Sequence, residues 1–321
     1  MKKTPPAPPA QQVSKQTTDQ VMMIRPAAFG FNAQTAASNA FQTLDEDMAP
    51  AERSARARDE FDALVAKLRS VGIEVTVIED TPTPVKPDAV FPNNWISLHE
   101  NGKAMLYPML TENRRIERRQ DILLALKAQF GLTQVVDYSY AEAEGRILEG
   151  TGSLIMDRDH QLVYACISPR TDPGLLADFC KELDCTPVQF DAVDGNGQPI
   201  YHTNVMMALG ETFVVICLAT IRDAGQLAML LKRFEATGKV VVEISLAQMN
   251  AFAGNMLQLR GKDDKRYLVM STQAYDSLLP GQIELLQQHT HLLHSDIRTI
   301  ETYGGGSARC MIAENFLPKK V

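Results

Sequence analysis

No stretch of this 321-residue chain is long and apolar enough to make a membrane helix. Such a helix needs ~20 consecutive apolar residues, and the longest runs, such as FVVICLATI at 213–221, stop well short. Positive charge is not in excess either. Lys and Arg number 32 against 39 Asp and Glu, a net charge of −7, which argues against nucleic acid and against an anionic membrane surface as partners. The N-terminus MKKTPPAPPAQQVSKQTTDQ has two lysines but no apolar h-region behind them, so it does not read as a signal peptide. Its proline, glutamine and threonine content predicts a disordered tail over residues 1–20, ahead of one domain over 21–321. The expected compartment is the reducing cytoplasm. The five cysteines are odd in number, widely spaced and without a CxxC pair, which removes a disulfide framework and a zinc site. GxGxxG, P-loop, HExxH and GxSxG patterns are absent. A hydrolase or a binding protein is therefore favoured over a dinucleotide or phosphate enzyme.

What is present is a rhythm. In SARARDEFDALVAKLRSVG, Phe61, Leu64, Val65, Leu68 and Val71 share one helical face, Gly72 stops the helix, and the strand-like IEVTVIE follows. The same grammar recurs four more times, with post-helix strands expected to begin near 73, 133, 187, 240 and 292. Further β-rich runs, such as AVFPNNWISL with AMLYPM, lie between each of these strands and the next helix. The unit reads strand, strand, helix, strand. Five such units predict an α/β fold of repeats closed into a ring around a central cavity; an open α/β sheet is the rival.

Several residues could carry chemistry. Cys310 follows GGGSAR, where glycines permit positive φ and Arg309 adjoins the thiol. Cys166 and Cys217 sit inside apolar strands and read as core, while Cys180 and Cys185 flank the end of a helix. A cysteine nucleophile needs a proton shuttle, usually histidine. Among the six histidines, His202 in YHTNVMM stands at the mouth of a strand, and on the residues alone it reads equally well as structural. His289, His291 and His294 lack acidic or cysteine partners at metal-binding spacing and read as solvated. His99 and His160 read as exposed turn residues. Glu149 ends an apolar run against GTG, where an ordinary turn glutamate is the simpler reading. Asp88, Asn93 and Asn94 lie in an apolar β-rich segment, and buried amides there require partners. Arg114, Arg115 and Arg170 could grip a carboxylate, although exposed helix charges account equally well for the first two.

In order, PDAVFPNNW, NRR, LEG, SPRT, YHTN and GGGSARC resemble the guanidine-modifying superfamily of dimethylargininases, arginine deiminases and amidinotransferases. The resemblance runs from VMMIRP to the end of the chain. It is nearest to the arginine deiminase-related branch that includes citrulline-utilising hydrolases. It implies a five-bladed α/β propeller with a central active site. It implies Cys310 as nucleophile, His202 as proton shuttle and Glu149 as the acid that binds and polarises the substrate head. Arg114 and Arg170 would hold the α-carboxylate of a free amino acid, and Asp88 would be a further pocket acid. The glycines would let the chain carry the thiol into a narrow pocket. No metal and no organic cofactor are implied, and the sequence leaves a homodimer open.

One departure matters. Where dimethylargininases usually carry two acids after the phenylalanine, this chain has Asn93 and Asn94. An amide cannot neutralise a guanidinium, and burying a cation without its counterion costs several kcal/mol. The expected reaction is therefore hydrolysis of citrulline to ornithine, carbon dioxide and ammonia. A guanidine hydrolase of the arginine deiminase or dimethylargininase type is the alternative. An amidinotransferase, with an amine acceptor in place of water, and a non-catalytic amino-acid sensor are the remaining classes.

Overall fold

A computed structural model of the protein describes residues 15–36, 39, 41–43 and 48–320. It is built from five three-stranded sheets. In the first, β1 (Gln20–Arg25) is followed by helix α1 (Pro50–Ser70) and β2 (Glu74–Glu79). The second holds β3 (Ile96–Leu98), β4 (Lys103–Leu106), helix α2 (Gln120–Gln129) and β5 (Gln134–Asp137). The third holds β6 (Ile155–Asp157), β7 (Leu162–Cys166), helix α3 (Pro173–Glu182) and β8 (Thr186–Phe190). The fourth holds β9 (Met207–Leu209), β10 (Phe213–Ile216), helix α4 (Ala224–Ala236) and β11 (Val240–Glu243). The fifth holds β12 (Leu257–Arg260), β13 (Arg266–Ser271), helix α5 (Pro280–Gln287) and β14 (His291–Ser295). Helix α6 (Arg298–Gly304) then leads to β15 (Ala313–Glu314).

In sheets two to five the first two strands are antiparallel and the third is parallel to the second. A parallel pair cannot be joined by a tight turn, so each needs its crossover helix. The first sheet completes the pattern by borrowing from the far end of the chain. β15 pairs antiparallel with β1, Val21 opposite Glu314 and Met22 opposite Ala313. This is a five-bladed α/β propeller, and its post-helix strands begin within one residue of the positions expected from the sequence.

Local chemistry explains the elements. α1 opens on Pro50, which needs no N–H partner there, and buries Phe61, Leu64, Val65 and Leu68. It stops where Gly72 takes φ +84°. Asp172 and Asp223 cap α3 and α4 through the N–H groups of Leu175 and Gln226. The middle strands β7 and β10 are buried along their whole length. Cys166 at the end of β7 and Cys217 just after β10 are core residues, their thiols pushed up by burial to about 12 and about 11.

Three local expectations change. Residues 1–14 of the expected tail lie outside the described residues. Residues 15–20, by contrast, are packed: Thr18 Oγ1 donates to the Asn315 carbonyl at 2.8 Å, Thr17 Oγ1 to Glu211 at 2.8 Å, and Gln20 begins β1. Asn93 and Asn94 form a 3₁₀ turn, Pro92–Asn94, because Pro92 cannot donate to a ladder, and the strand starts only at Ile96. His99 is buried, its Nε2 2.7 Å from Ser97 Oγ, and burial lowers its pKa well below the usual value. The three clustered histidines separate, His289 bonding Thr212, His294 bonding Thr272, and His291 lying against Tyr267. Among the described residues no helix can cross a membrane.

Candidate active site

Each blade contributes a turn just ahead of its first strand, and these turns converge. They carry Asn94 before β3, Gly150–Ser153 before β6, Thr203–Met206 before β9, Asn255 before β12, and Cys310 before β15. A central cavity is lined by residues from six separate stretches of chain. They include Asp88, Asn94, Arg114, Arg170, His202 and Cys310. The sequence motifs that lie far apart along the chain therefore meet at one place.

Glu149 is the hub. It is fully buried, and its Oε2 accepts from Arg170 Nη1 at 3.1 Å and lies 2.8 Å from His202 Nε2. Its Oε1 accepts from the Leu110 N–H at 3.0 Å. Burial alone would raise this carboxyl, but the Arg170 charge and the hydrogen bond from His202 outweigh it and hold it well below the usual range. Both oxygens are committed and the side chain does not line the cavity. The expected substrate-head acid is thus bonded to His202, Arg170 and the Leu110 N–H. His202 has its pKa lowered by burial, an effect that the Glu149 hydrogen bond and charge only partly offset. Its Nδ1 lies against Gly152, where an added Cβ would come within 2.8 Å of Nδ1 and 2.5 Å of Asn94 Nδ2.

Arg114 is committed to protein partners in the same way. It is buried rather than exposed, in the short helix Glu112–Arg115, and Nε and Nη2 grip Glu117 at 2.9 Å each. Nη1 donates to Asn94 Oδ1 at 2.8 Å and Nη2 to the Phe91 carbonyl at 3.2 Å. A guanidinium so occupied has little left for a carboxylate clamp. Arg170 instead stands between Glu149 and the ring of Tyr201, 4.9 Å from its centroid, and faces the cavity. Asp88 faces the cavity as well. Its Oδ2 accepts from Asn32 at 2.7 Å, its Oδ1 is unpartnered, and burial raises its pKa despite Arg114 at 3.8 Å. Asn93 does not line the cavity; its side-chain amide is buried without a partner, behind the Asn94 turn.

Cys310 holds two amides that the sequence reading missed. Asn204 Nδ2 and Asn255 Nδ2 approach its Sγ at 3.4 and 3.3 Å. Asn255 is itself fixed, donating to the Asn204 carbonyl at 3.0 Å and accepting from the Arg309 N–H at 3.1 Å. The sulfur also lies 3.6 Å from Asn255 Oδ1, to which its S–H can donate. The fivefold repeat carried the missing signal, because Asn255 occupies in the fifth blade the place that Asn94 has in the second. The glycines ahead of Cys310 give close approach rather than looseness. Gly305 takes φ +62°, and a Cβ on Gly304 or Gly306 would meet the Phe91 ring at 2.7 or 2.9 Å.

Glu301, in α6 just before this loop, receives Ser307 Oγ at 2.6 Å, and burial raises its carboxyl from 4.5 to about 7. Ser271, Ser307 and Arg298 lower it and Glu60 raises it. A carboxyl with a folded pKa above its unfolded one costs stability as pH rises from 4.5 towards 7 and levels off beyond. Glu301→Gln is expected to raise Tm relative to the parent at pH 8 more than at pH 5. Melting curves at both values check this, and an equal difference at both contradicts it.

The model of the N,N dimethylarginine dimethylhydrolase family, eukaryotic, matches residues 25–317. The chain belongs to this family. No curated protein matches. Among solved structures, the N-terminal domain of ArgZ, an arginine dihydrolase from the ornithine-ammonia cycle in cyanobacteria, seen with product bound, is similar. The TM-score is 0.71 at 17% identity, covering 93% of this chain and 99% of that one. Unliganded AgrE gives 0.72 at 16% identity, over 94% of this chain and 40% of that one. A dimethylarginine dimethylaminohydrolase variant, as its adduct with S-methyl-L-thiocitrulline, gives 0.61 at 13% identity, over 92% and 99%. Dimethylarginine dimethylhydrolases are hydrolases of C–N bonds that act through a covalent cysteine intermediate, and membership extends that reaction class to this chain.

Proposed function

We propose that the protein is a cysteine-dependent hydrolase of a free amino acid with a ureido or guanidino head group, favouring citrulline. The observation that carries the head group is the amide of Asn94. Arg114 can only donate, so the atom it meets at 2.8 Å is the Asn94 oxygen, and Nδ2 is left as a buried donor without a partner. A ureido group offers an oxygen to that donor. A guanidinium offers only further donors.

In this reading the Cys310 thiolate, held by Asn204 and Asn255, attacks the ureido carbon. His202, its Nε2–H committed to Glu149, takes the Cys310 thiol proton at Nδ1 as the thiolate forms and delivers it to the departing side-chain nitrogen, and ornithine leaves. Water, deprotonated by the same nitrogen, cleaves the S-carbamoyl group to carbamate, which breaks down to carbon dioxide and ammonia. Arg170 is the candidate for the α-carboxylate. The second reading, a guanidino substrate, is favoured by the unpartnered Asp88 Oδ1 in the cavity wall, which would suit a cation.

Asn94→Asp decides between them. A carboxylate there hurts a neutral head group and helps a cationic one. The ratio of kcat/KM for citrulline over arginine is expected to fall by roughly tenfold or more, the equivalent of about 1.4 kcal/mol. Asn93→Asp should leave the ratio unchanged, since Asn93 does not reach the cavity. A parent enzyme that hydrolyses arginine and ignores citrulline, or an unmoved ratio, rejects the ureido reading.

A further inference from the structure

The crossover helix α3 ends in an arrangement that brings two thiols together, away from the central cavity. Cys180 lies in its last turn and is 2% exposed. Leu183 follows as the C-cap, and Asp184 takes φ +54°, the left-handed conformation usually given to glycine. The N–H of Cys185 then donates back to the carbonyl of Cys180 at 2.9 Å. This is the six-to-one hydrogen bond of a Schellman motif, in which the side chains at its two ends commonly touch. Here both ends are cysteines. They pack in one apolar cluster with Leu176 and Phe179.

Their exposures differ. Cys180 is buried, while Cys185 is half-buried and forms part of the wall of a second cavity of about 580 Å³, together with His99, Arg158 and Asp159. The hydrogen bond from Cys180, helped by the charge of Arg158, lowers the Cys185 pKa against burial and Asp184. The same hydrogen bond, with burial, raises Cys180. Both thiols are free.

We propose that Cys185 and Cys180 are a reversible thiol–disulfide exchange site, Cys185 the attacking sulfur and Cys180 the resolving one, for a low-molecular-weight disulfide entering the second cavity. The Cys185 thiolate attacks one sulfur of the incoming disulfide. That S–S bond breaks, and its other half leaves as a thiolate. Cys180 then attacks the Cys185 sulfur of the mixed disulfide, loses its proton, and releases the second half. One external disulfide is reduced to two thiols, and one Cys180–Cys185 bond is formed. A disulfide needs its Cα atoms roughly 4.4–6.8 Å apart, and the six-to-one bond closes the backbone between these two residues.

Lys181 lies between the cysteines, so trypsin separates them. The full chain is incubated with oxidised glutathione, its remaining thiols are alkylated, and it is digested without reductant. Mass spectrometry of the parent protein is expected to show the two peptides joined, both thiols lost together, and both regained with dithiothreitol. In Cys180→Ser, glutathione should stay on Cys185. In Cys185→Ser, Cys180 should neither cross-link nor take up glutathione. The proposal is overturned if the parent protein shows both cysteines alkylated, or glutathione retained on Cys185 with Cys180 free. It is also overturned if Cys180 is modified as fast in Cys185→Ser as in the parent. The parent digest decides even where a variant folds poorly.

Discussion

Cys310→Ser is expected to lower kcat on the preferred substrate by ~10⁴-fold or more, the scale seen when a covalent nucleophile is removed. Serine is nearly isosteric and remains within reach of Asn204 and Asn255, so Tm should move little and ligand-induced stabilisation should survive. What is lost is the anion. A hydroxyl has no counterpart to the thiolate that those two amides would hold, and it is a far weaker nucleophile than a thiol at neutral pH. Turnover measured beside ligand-dependent melting separates chemistry from binding. A variant with parental turnover would make another residue the nucleophile. Iodoacetamide supplies an independent readout. It should label Cys310 faster than Cys166 and Cys217, which are core thiols raised by burial, and activity should fall with that labelling. Uniform labelling of all five cysteines in the folded protein contradicts the assignment.

Glu149→Gln carries the second large effect, on activity and stability together. The variant keeps the shape but removes the charge that balances Arg170 and anchors His202 Nε2. Removing one member of a buried charged pair costs ~3–5 kcal/mol. Loss of the group that orients a catalytic histidine costs ~10²–10⁴ in kcat. The pH dependence has a definite sign. The folded pKa of Glu149 lies below its ordinary 4.5, so the carboxylate stabilises the fold above that value and the contribution disappears as pH falls below it. The stability gap between parent and variant should therefore be full at pH 7 and shrink below about pH 4.5. Urea unfolding at pH 7 and pH 3.5 measures it, and a gap that stays constant removes Glu149 as the charge hub. An unchanged kcat with a raised KM would return Glu149 to the substrate-binding role first expected of it.

Several residues that line the cavity were legible because their motifs are local. Cys310 after its glycines, His202 in YHTN and Arg170 in SPRT stand in short motifs, and the structure gathers all three at the cavity. What was not legible is partner choice. Arg114 looks from sequence like one of a pair of free arginines, and only the fold shows Glu117 and Asn94 consuming its donors. Asn204 and Asn255 are unremarkable as letters. Their meaning comes from Cys310, 106 and 55 residues further along. His99 sits in a turn by its neighbours, yet the packing around Ser97 and Phe179 buries it.

The sequence by itself determined the fivefold rhythm, the positions of the post-helix strands and the apolar faces of the helices. Each of these follows from short-range periodicity, capping and turn chemistry within one unit. The tertiary structure alone decided which turns meet at the centre, which carboxylate neutralises which arginine, and which amide hydrogens reach the thiol. Those choices depend on ring closure, made by β15 pairing with β1 across almost the whole chain. They depend as well on burial, because a charge removed from water must find its partner among whatever side chains the other blades bring within a few ångströms.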